Sequence, residues 1–277
     1  MAQAADSPKE LEIESNIKFT VSENVPSDLM KLTEKLSAEA IADHGCFRIA
    51  VSGGSFPKNF AAGISGDSKV DFSKWRVFFA DERCVPLDSD QSNFKGFKEQ
   101  FMGKAKMEDS QVFAIDQSCL DSVDETKDDD DSMKSAAKMM SEQYLKDILK
   151  EFGVDPQDKQ TIPSFDCVYL GMGPDGHTAS LFPGHKLLDS ENLVDFITDS
   201  PKQPPHRITL TLPLICDAHH IVFVVTGESK QDAMKNITAC HNDEKALQTL
   251  PSGLVTERAC GTVTWLLDKA ASASSKL

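Results

Sequence analysis

Between residues 47 and 267 the chain returns again and again to short runs in which every neighbour is apolar, the clearest being Ile221-Val222-Phe223-Val224-Val225. A strand with one face in water alternates apolar and polar residues, so an unbroken run belongs to a strand covered on both faces. Strands are expected at 17–21, 47–51, 75–80, 165–170, 206–212, 221–226 and 262–267. Between them lie stretches of helical period. Residues 26–43 place Leu29, Leu32, Leu36, Ala40 and Ile41 on one face, a helix starts near Pro57, and Ser132 opens a long helix. Its stripe is Met133, Ala136, Met140, Tyr144, Ile148 and Phe152, and Gly153 closes it. Strand-helix alternation of this kind predicts an α/β fold, with a single doubly wound, mostly parallel, Rossmann-like sheet and helices on both faces. No internal repeat and no Pro/Gly/Ser linker divides the chain. Residues 15–268 are expected to form one domain, between a flexible N-terminal segment (1–14) and a flexible tail (269–277).

Open α/β sheets bind ligands beyond the carboxyl ends of their strands, and the unusual turns of this sequence fall there. LGMGPDGHTASLFPG, residues 170–184, contains a literal G-x-G-x-x-G at Gly171, Gly173 and Gly176. A dinucleotide fingerprint needs a full helix next and an acidic residue about 20 positions on. Here Pro183-Gly184 stops the segment, and Asp189 lies in a polar loop. The same turn sets Asp175 two residues before His177. A neutral imidazole, with an ordinary pKa of about 6.5, takes and returns a proton near neutral pH, and an adjacent carboxylate can orient it. The competing reading is that Asp175 closes an Asx-turn and His177 caps a short helix. In SGGSFPK, Gly53 and Gly54 allow close approach, Ser55 supplies a hydroxyl, Lys58 a charge, and the next helix its free N–H groups, together a phosphate cradle. Arg83 and Arg207 sit at strand ends. Their planar forks suit either anion recognition or structural ion pairs.

With 29 Lys and Arg against 44 Asp and Glu, the net charge is −15, which argues against nucleic acid or an anionic membrane as partner. An anionic ligand must therefore be held by cations gathered locally. No apolar run approaches the roughly 18 residues of a membrane span. Seven scattered cysteines without a C-x-x-C read as reduced thiols, with no zinc or other metal site. The acidic run DETKDDDD at 124–131 reads as a solvated loop. The opening residues carry neither a secretory signal nor a transit peptide. Ser275-Lys276-Leu277 matches the tripeptide bound by the peroxisomal import receptor, which makes that receptor an expected partner, with a peroxisomal location and a cytosolic pool beside it.

SGGS at 52–55, DER at 81–83, DSDQSNF at 88–94, GMGPDGHTASLFPG at 171–184 and PPHRITLTLP at 204–213 together resemble, in order and spacing, the 6-phosphogluconolactonases. The likeness runs from about residue 15 to 268. The wider superfamily includes glucosamine-6-phosphate isomerase/deaminases, which usually read G-H-I-A-F-N-E-P-G and D-E-Y. This chain has Thr178-Ala179-Ser180-Leu181-Phe182 and Arg83 instead. It departs from the lactonase pattern at Phe56, where threonine is usual, and at Ala80, where glycine commonly precedes DER. The resemblance implies hydrolysis of 6-phospho-D-glucono-1,5-lactone to 6-phosphogluconate in the oxidative pentose phosphate pathway, without metal or organic cofactor. It implies His177 as general base, Asp175 as its orienting partner, and Arg83 or backbone N–H groups near Gly173 and Gly176 at the oxyanion. Gly53, Gly54, Ser55, Lys58 and Arg207 would hold the phosphate, with Asp81 and Asn93 in the same binding set. The alternatives are a sugar-phosphate isomerase/deaminase and a non-catalytic sugar-phosphate-binding protein on the same fold.

Overall fold

The computed structural model describes residues 9–14, 16–65, 68–121, 123, 130–239 and 249–275. Ten strands are described: β1 (Lys9–Glu14), β2 (Ile17–Ser22), β3 (Phe47–Val51), β4 (Trp75–Phe79), β5 (Asp81–Arg83), β6 (Cys167–Leu170), β7 (Val194–Ile197), β8 (Arg207–Leu210), β9 (His220–Val225) and β10 (Thr262–Asp268). Seven of them form a sheet in the order β1-β2-β10-β9-β6-β3-β4. Every neighbouring pair is parallel except β1 with β2.

The unbroken apolar runs are explained by the two cores that this sheet separates. On β9, Ile221, Phe223 and Val225 enter one core while Val222 and Val224 enter the other. On β3, Ala50 faces the first and Phe47, Ile49 and Val51 the second. Helix Val25–His44 covers the second face with Leu29, Met30 and Leu36. Its ends are written locally, since Asn24 accepts from the Ser27 N–H at 3.2 Å, Pro26 opens the first turn, and Gly45 closes the helix at φ +86°. Helix Asp130–Phe152 covers the opposite face, with Ala137, Met140, Tyr144 and Ile148 in the core.

Three expectations need correction. The strand near 206–212 exists as β8 but does not join the parallel sheet; it pairs antiparallel with β5 and β7 in a separate three-stranded sheet. The cause lies at Ala80, whose N–H reaches Val51 O at 2.8 Å while its own carbonyl accepts from Leu210 N at 2.8 Å. The chain thus leaves one sheet and enters the other within a single residue. Next, the N-terminal segment is not wholly without structure, because Lys9–Glu14 pairs with β2. Last, the tail begins as helix Lys269–Ser272, in which Ala271 is fully buried and Asp268 caps the Ala271 N–H at 2.7 Å. Residues 124–129 of the acidic run, together with Lys276 and Leu277, lie outside the described residues; Asp130 and Asp131 start the long helix.

Tyr144 fastens that helix to β4 at the edge of the sheet. Its hydroxyl accepts from Phe79 N at 2.5 Å and lies 3.3 Å from the carbonyls of Phe79 and Phe113, with both Phe79 contacts buried. Tyr144→Phe leaves the Phe79 N–H buried without an acceptor, at a cost of about 1–3 kcal/mol. Urea denaturation should show a lower midpoint at unchanged slope.

Candidate active site

From β3 the chain passes to β4 on one side, whereas β6, β9 and β10 lie on the other. The crevice between β3 and β6 is therefore the point where the winding reverses, the usual ligand position in such sheets. The two glycine-rich turns leave β3 and β6 side by side, and Ser52 Oγ accepts from Gly171 N at 3.3 Å.

At the β3 exit, Gly54 takes φ +65° and leads into helix Phe56–Gly63. Ser55 makes no side-chain capping bond, so its hydroxyl remains available at the helix N-terminus. Phe56 turns inward against Tyr169 and Phe60, with ring centroids 5.3 and 4.9 Å away, so it belongs to the core. The same helical turn sends Lys58 to solvent, outside the cavity lining, which corrects its expected place in the cradle.

At the β6 exit, the Gly173 N–H donates to His177 O at 2.8 Å and the Gly176 N–H to Gly173 O at 3.0 Å, closing the turn on itself. Inside it, Asp175 Oδ1 lies 2.5 Å from His177 Nδ1, and the ring stacks on Phe182 with centroids 4.8 Å apart. Asp175 thus orients the imidazole, while its backbone contact to His177 N is long at 3.5 Å. No helix follows for His177 to cap, since Thr178 and Leu181 form an isolated bridge. The glycines have separate reasons. A Cβ on Gly173 would lie 2.0 Å from His177 Nδ1 and 2.5 Å from Asp175 Oδ1, so only glycine lets the pair sit there. Gly176 adopts φ +78° against Leu250 and does not line the cavity.

The small sheet supplies the third wall. Asp81, 5% exposed, accepts from Ser180 Oγ at 2.7 Å and lies 3.9 Å from both Arg83 Nε and Arg207 Nη1. Asn93 is buried and donates to Asp81 O at 2.8 Å, and its amide packs where Gly53 has no side chain, so it braces the cavity from behind. Glu82 is fully buried and accepts from the backbone N–H groups of Arg83 and Asn93 at 2.7 Å and Phe94 at 2.8 Å. Burial pushes its carboxyl up to about 7 against those donors. Arg83 donates Nη1–H to Gln91 O at 2.9 Å, while its buried Nε has no hydrogen-bond acceptor.

Arg207 differs from the expected free anion fork. It is 3% exposed, and it donates Nε–H to Pro204 O at 2.9 Å and Nη2–H to Lys202 O and Gln203 O at 2.8 and 3.0 Å. Most of its donors therefore hold the turn before β8.

These walls enclose a cavity of about 290 Å³ lined by Ser52, Gly53, Gly54, Ser55, Asp81, Arg83, Gly171, Gly173, His177, Thr178, Lys202, Arg207 and Lys230 among others. Two lining cations escaped the sequence reading. Lys202 lies in a proline-rich turn, where nothing local marks it as functional. Lys230 follows Thr226-Gly227 at the exit of β9, and that strand end was the signal available. Its loop is anchored by Gly227 N, which donates to both carboxylate oxygens of Asp268 at 3.1 and 3.0 Å. Among the described residues, no group of three or more His, Cys, Asp and Glu is placed to hold a metal ion. No described helix is long and apolar enough to cross a membrane.

Burial lowers the His177 pKa below its ordinary value; the Asp175 hydrogen bond and charge oppose this, and Lys202 reinforces it. For Asp175, burial works upward, but the hydrogen bond and charge of His177, with Lys202, carry the carboxyl below its ordinary value. Lys230 is lowered by burial and then by Lys202. In an NMR titration His177 should therefore protonate below about 6.5. Asp175→Asn removes the principal opposing charge, so the midpoint should fall further; a midpoint at or above wild type would mean that the carboxylate is not felt by the ring.

A family model described as "Glucosamine-6-phosphate isomerases/6-phosphogluconolactonase" matches residues 21–265. The rice protein named "Probable 6-phosphogluconolactonase 3, chloroplastic" (Oryza sativa subsp. indica) is 38% identical over 257 residues, covering 91% of this chain and 73% of its own length. The rat (Rattus norvegicus) "6-phosphogluconolactonase" is 34% identical over 259 residues, covering 91% and 90%. Among solved structures, 6-phosphogluconolactonase from Trypanosoma cruzi superposes with a TM-score of 0.75 at 27% identity, covering 97% of this chain and 99% of that one. The chain belongs to the glucosamine-6-phosphate isomerase/6-phosphogluconolactonase family.

Proposed function

We propose that this chain is a 6-phosphogluconolactonase, hydrolysing 6-phospho-D-glucono-1,5-lactone to 6-phosphogluconate. The observation that carries the reading is the meeting of an Asp175–His177 pair with Arg83, Lys202, Arg207 and Lys230 around one cavity, in a chain of net charge −15. Such a pocket suits an anionic substrate whose reaction needs a proton carrier. The names of the relatives point the same way, and within the family Arg83 and the Thr178–Phe182 stretch favour the lactonase over the deaminase.

In the proposed reaction His177 Nε2 takes a proton from water as its oxygen bonds to C1 of the lactone. The tetrahedral oxyanion is assigned to Arg83, which lines the cavity, because the Gly173 and Gly176 N–H groups are already engaged within their own turn. One such donor is typically worth about 3 kcal/mol. Collapse breaks the bond from C1 to the ring oxygen, which takes the proton back from Nε2. The lactone carbonyl is already electrophilic, and no cofactor enters these steps. The phosphate is assigned to the N–H groups and hydroxyl at Gly53, Gly54 and Ser55, with Lys230 lining the same cavity. A peroxisomal location with a cytosolic pool belongs to the same proposal and rests on the Ser275-Lys276-Leu277 match alone.

The test follows consumption of freshly generated 6-phosphogluconolactone against its spontaneous hydrolysis, with unphosphorylated gluconolactone in parallel. Acceleration confined to the phosphorylated lactone is expected. His177→Ala should keep the melting temperature and lower the rate by about 10² to 10⁴. Ammonia release from glucosamine 6-phosphate would instead identify a deaminase, and binding of 6-phosphogluconate without turnover a sugar-phosphate-binding protein.

A further inference from the structure

Lys202 reaches the catalytic pair from a different part of the fold. Its Nζ lies 3.3 Å from His177 Nδ1 and 3.7 Å from Asp175 Oδ1. The backbone that delivers it is pinned: Arg207 grips the carbonyls of Lys202, Gln203 and Pro204, and Ser200 Oγ donates to Lys202 O at 2.9 Å and accepts from Lys202 N at 3.2 Å. The ammonium therefore reaches the pair from a fixed backbone, on a side chain that is 40% exposed.

The contact has a chemical meaning. An ammonium has no lone pair, and Nδ1 at 2.5 Å from a carboxylate carries its hydrogen toward Asp175. No hydrogen bond joins Lys202 to that nitrogen in this tautomer, so what remains is charge: a cation beside a ring that becomes cationic on taking a proton. Asp175 alone would favour the imidazolium and hold it; a base that keeps its proton cannot pass it on.

We propose that Lys202, held in place by Arg207, is a positioning residue for His177: it keeps the imidazole neutral with Nδ1–H on Asp175 and Nε2 as the basic atom, and it drives the proton from Nε2 onward to the leaving ring oxygen. The Nδ1 hydrogen stays with Asp175 throughout, and Nε2 gains one proton from water and loses the same proton to the ring oxygen. The charged groups that face His177 are Asp175 on its own turn, Lys202 on the turn before β8, and Asp81 on β5, whose charge acts with Asp175. Lys230 faces Lys202 and Asp175 instead. The role in proton transfer rests on the lactonase reading; the effect on the ring does not.

The test combines an NMR titration of the His177 ring nitrogens with the pH profile of kcat/KM on 6-phosphogluconolactone, in wild type, Lys202→Met, Lys202→Arg and Lys230→Met. Lys202→Met should raise the ring midpoint by about half a pH unit or more, move the acid limb upward with it, and lower kcat. Lys202→Arg should restore both, and Lys230→Met should raise KM while leaving the ring midpoint in place. Lys202→Gln takes the place of the Met variant if melting shows that variant misfolded. An unchanged midpoint with a raised KM alone would make Lys202 an anchor for the substrate's anion and overturn the proposal. Absence of lactone hydrolysis by wild type would overturn the lactonase reading, while the ring titration would still decide the effect on His177.

Discussion

The site exists because of one buried peptide. At Ala80 the chain makes its last bond to the parallel sheet through the N–H and its first to the small sheet through the carbonyl, which also lies 3.4 Å from Thr209 Oγ1. Parallel strands end where their ladders end, and the space beyond them is normally left to loops. Here a second sheet is hung across that space, so that Asp81, Arg83 and Arg207 come from strands rather than from loops. A buried, doubly bonded peptide is costly to move. The places of Asp81, Arg83 and Arg207 at the cavity are thereby fixed by ladder geometry.

Much of this was legible in the sequence because it is written locally. Unbroken apolar runs give two-sided strands; Asn24, Pro26 and Gly45 bound a helix; Gly173 and the Asp175–His177 spacing define a turn that folds on itself. What was illegible depends on partners far away along the chain. The second sheet pairs residues 81–83 with 207–209, and a β8 of four residues carries no mark of which sheet it will join. Lys58 and Lys202 look alike as letters. One sits on the solvent side of a helix whose apolar face is buried, and the other is drawn inward by carbonyls that Arg207 collects. From its residue type and place, Arg207 suits anion recognition or a structural ion pair equally, and the resemblance implies the phosphate; the fold shows that most of its hydrogens go to the carbonyls of Lys202, Gln203 and Pro204.

The electrostatics are equally a matter of placement. A chain with fifteen excess negative charges repels anions at long range, yet salt screens that field beyond about 8–10 Å. Within the cavity four cations outnumber the nearby carboxylates, and Asp81 and Asp175 are each engaged by neighbours. Glu82 shows the opposite strategy, a carboxyl with no cation beside it, held by backbone N–H groups at the start of helix Asn93–Phe97. It fixes the backbone behind Arg83 without adding an exposed negative charge to the pocket.

Asp268 ties two distant ends of the molecule into one mechanical unit. The same carboxylate receives the Gly227 N–H, which sets the loop of Lys230, and the Ala271 N–H, which starts the last helical turn. Gln231 adds a second tie, donating to Ala270 O at 2.8 Å and accepting from Ser274 Oγ at 2.7 Å. Local opening follows shared bonds rather than sequence distance. Fraying of the final turn and loosening of the Lys230 loop are therefore a single event, and the rigidity of one wall of the pocket is set some forty residues downstream, at a place that touches no ligand.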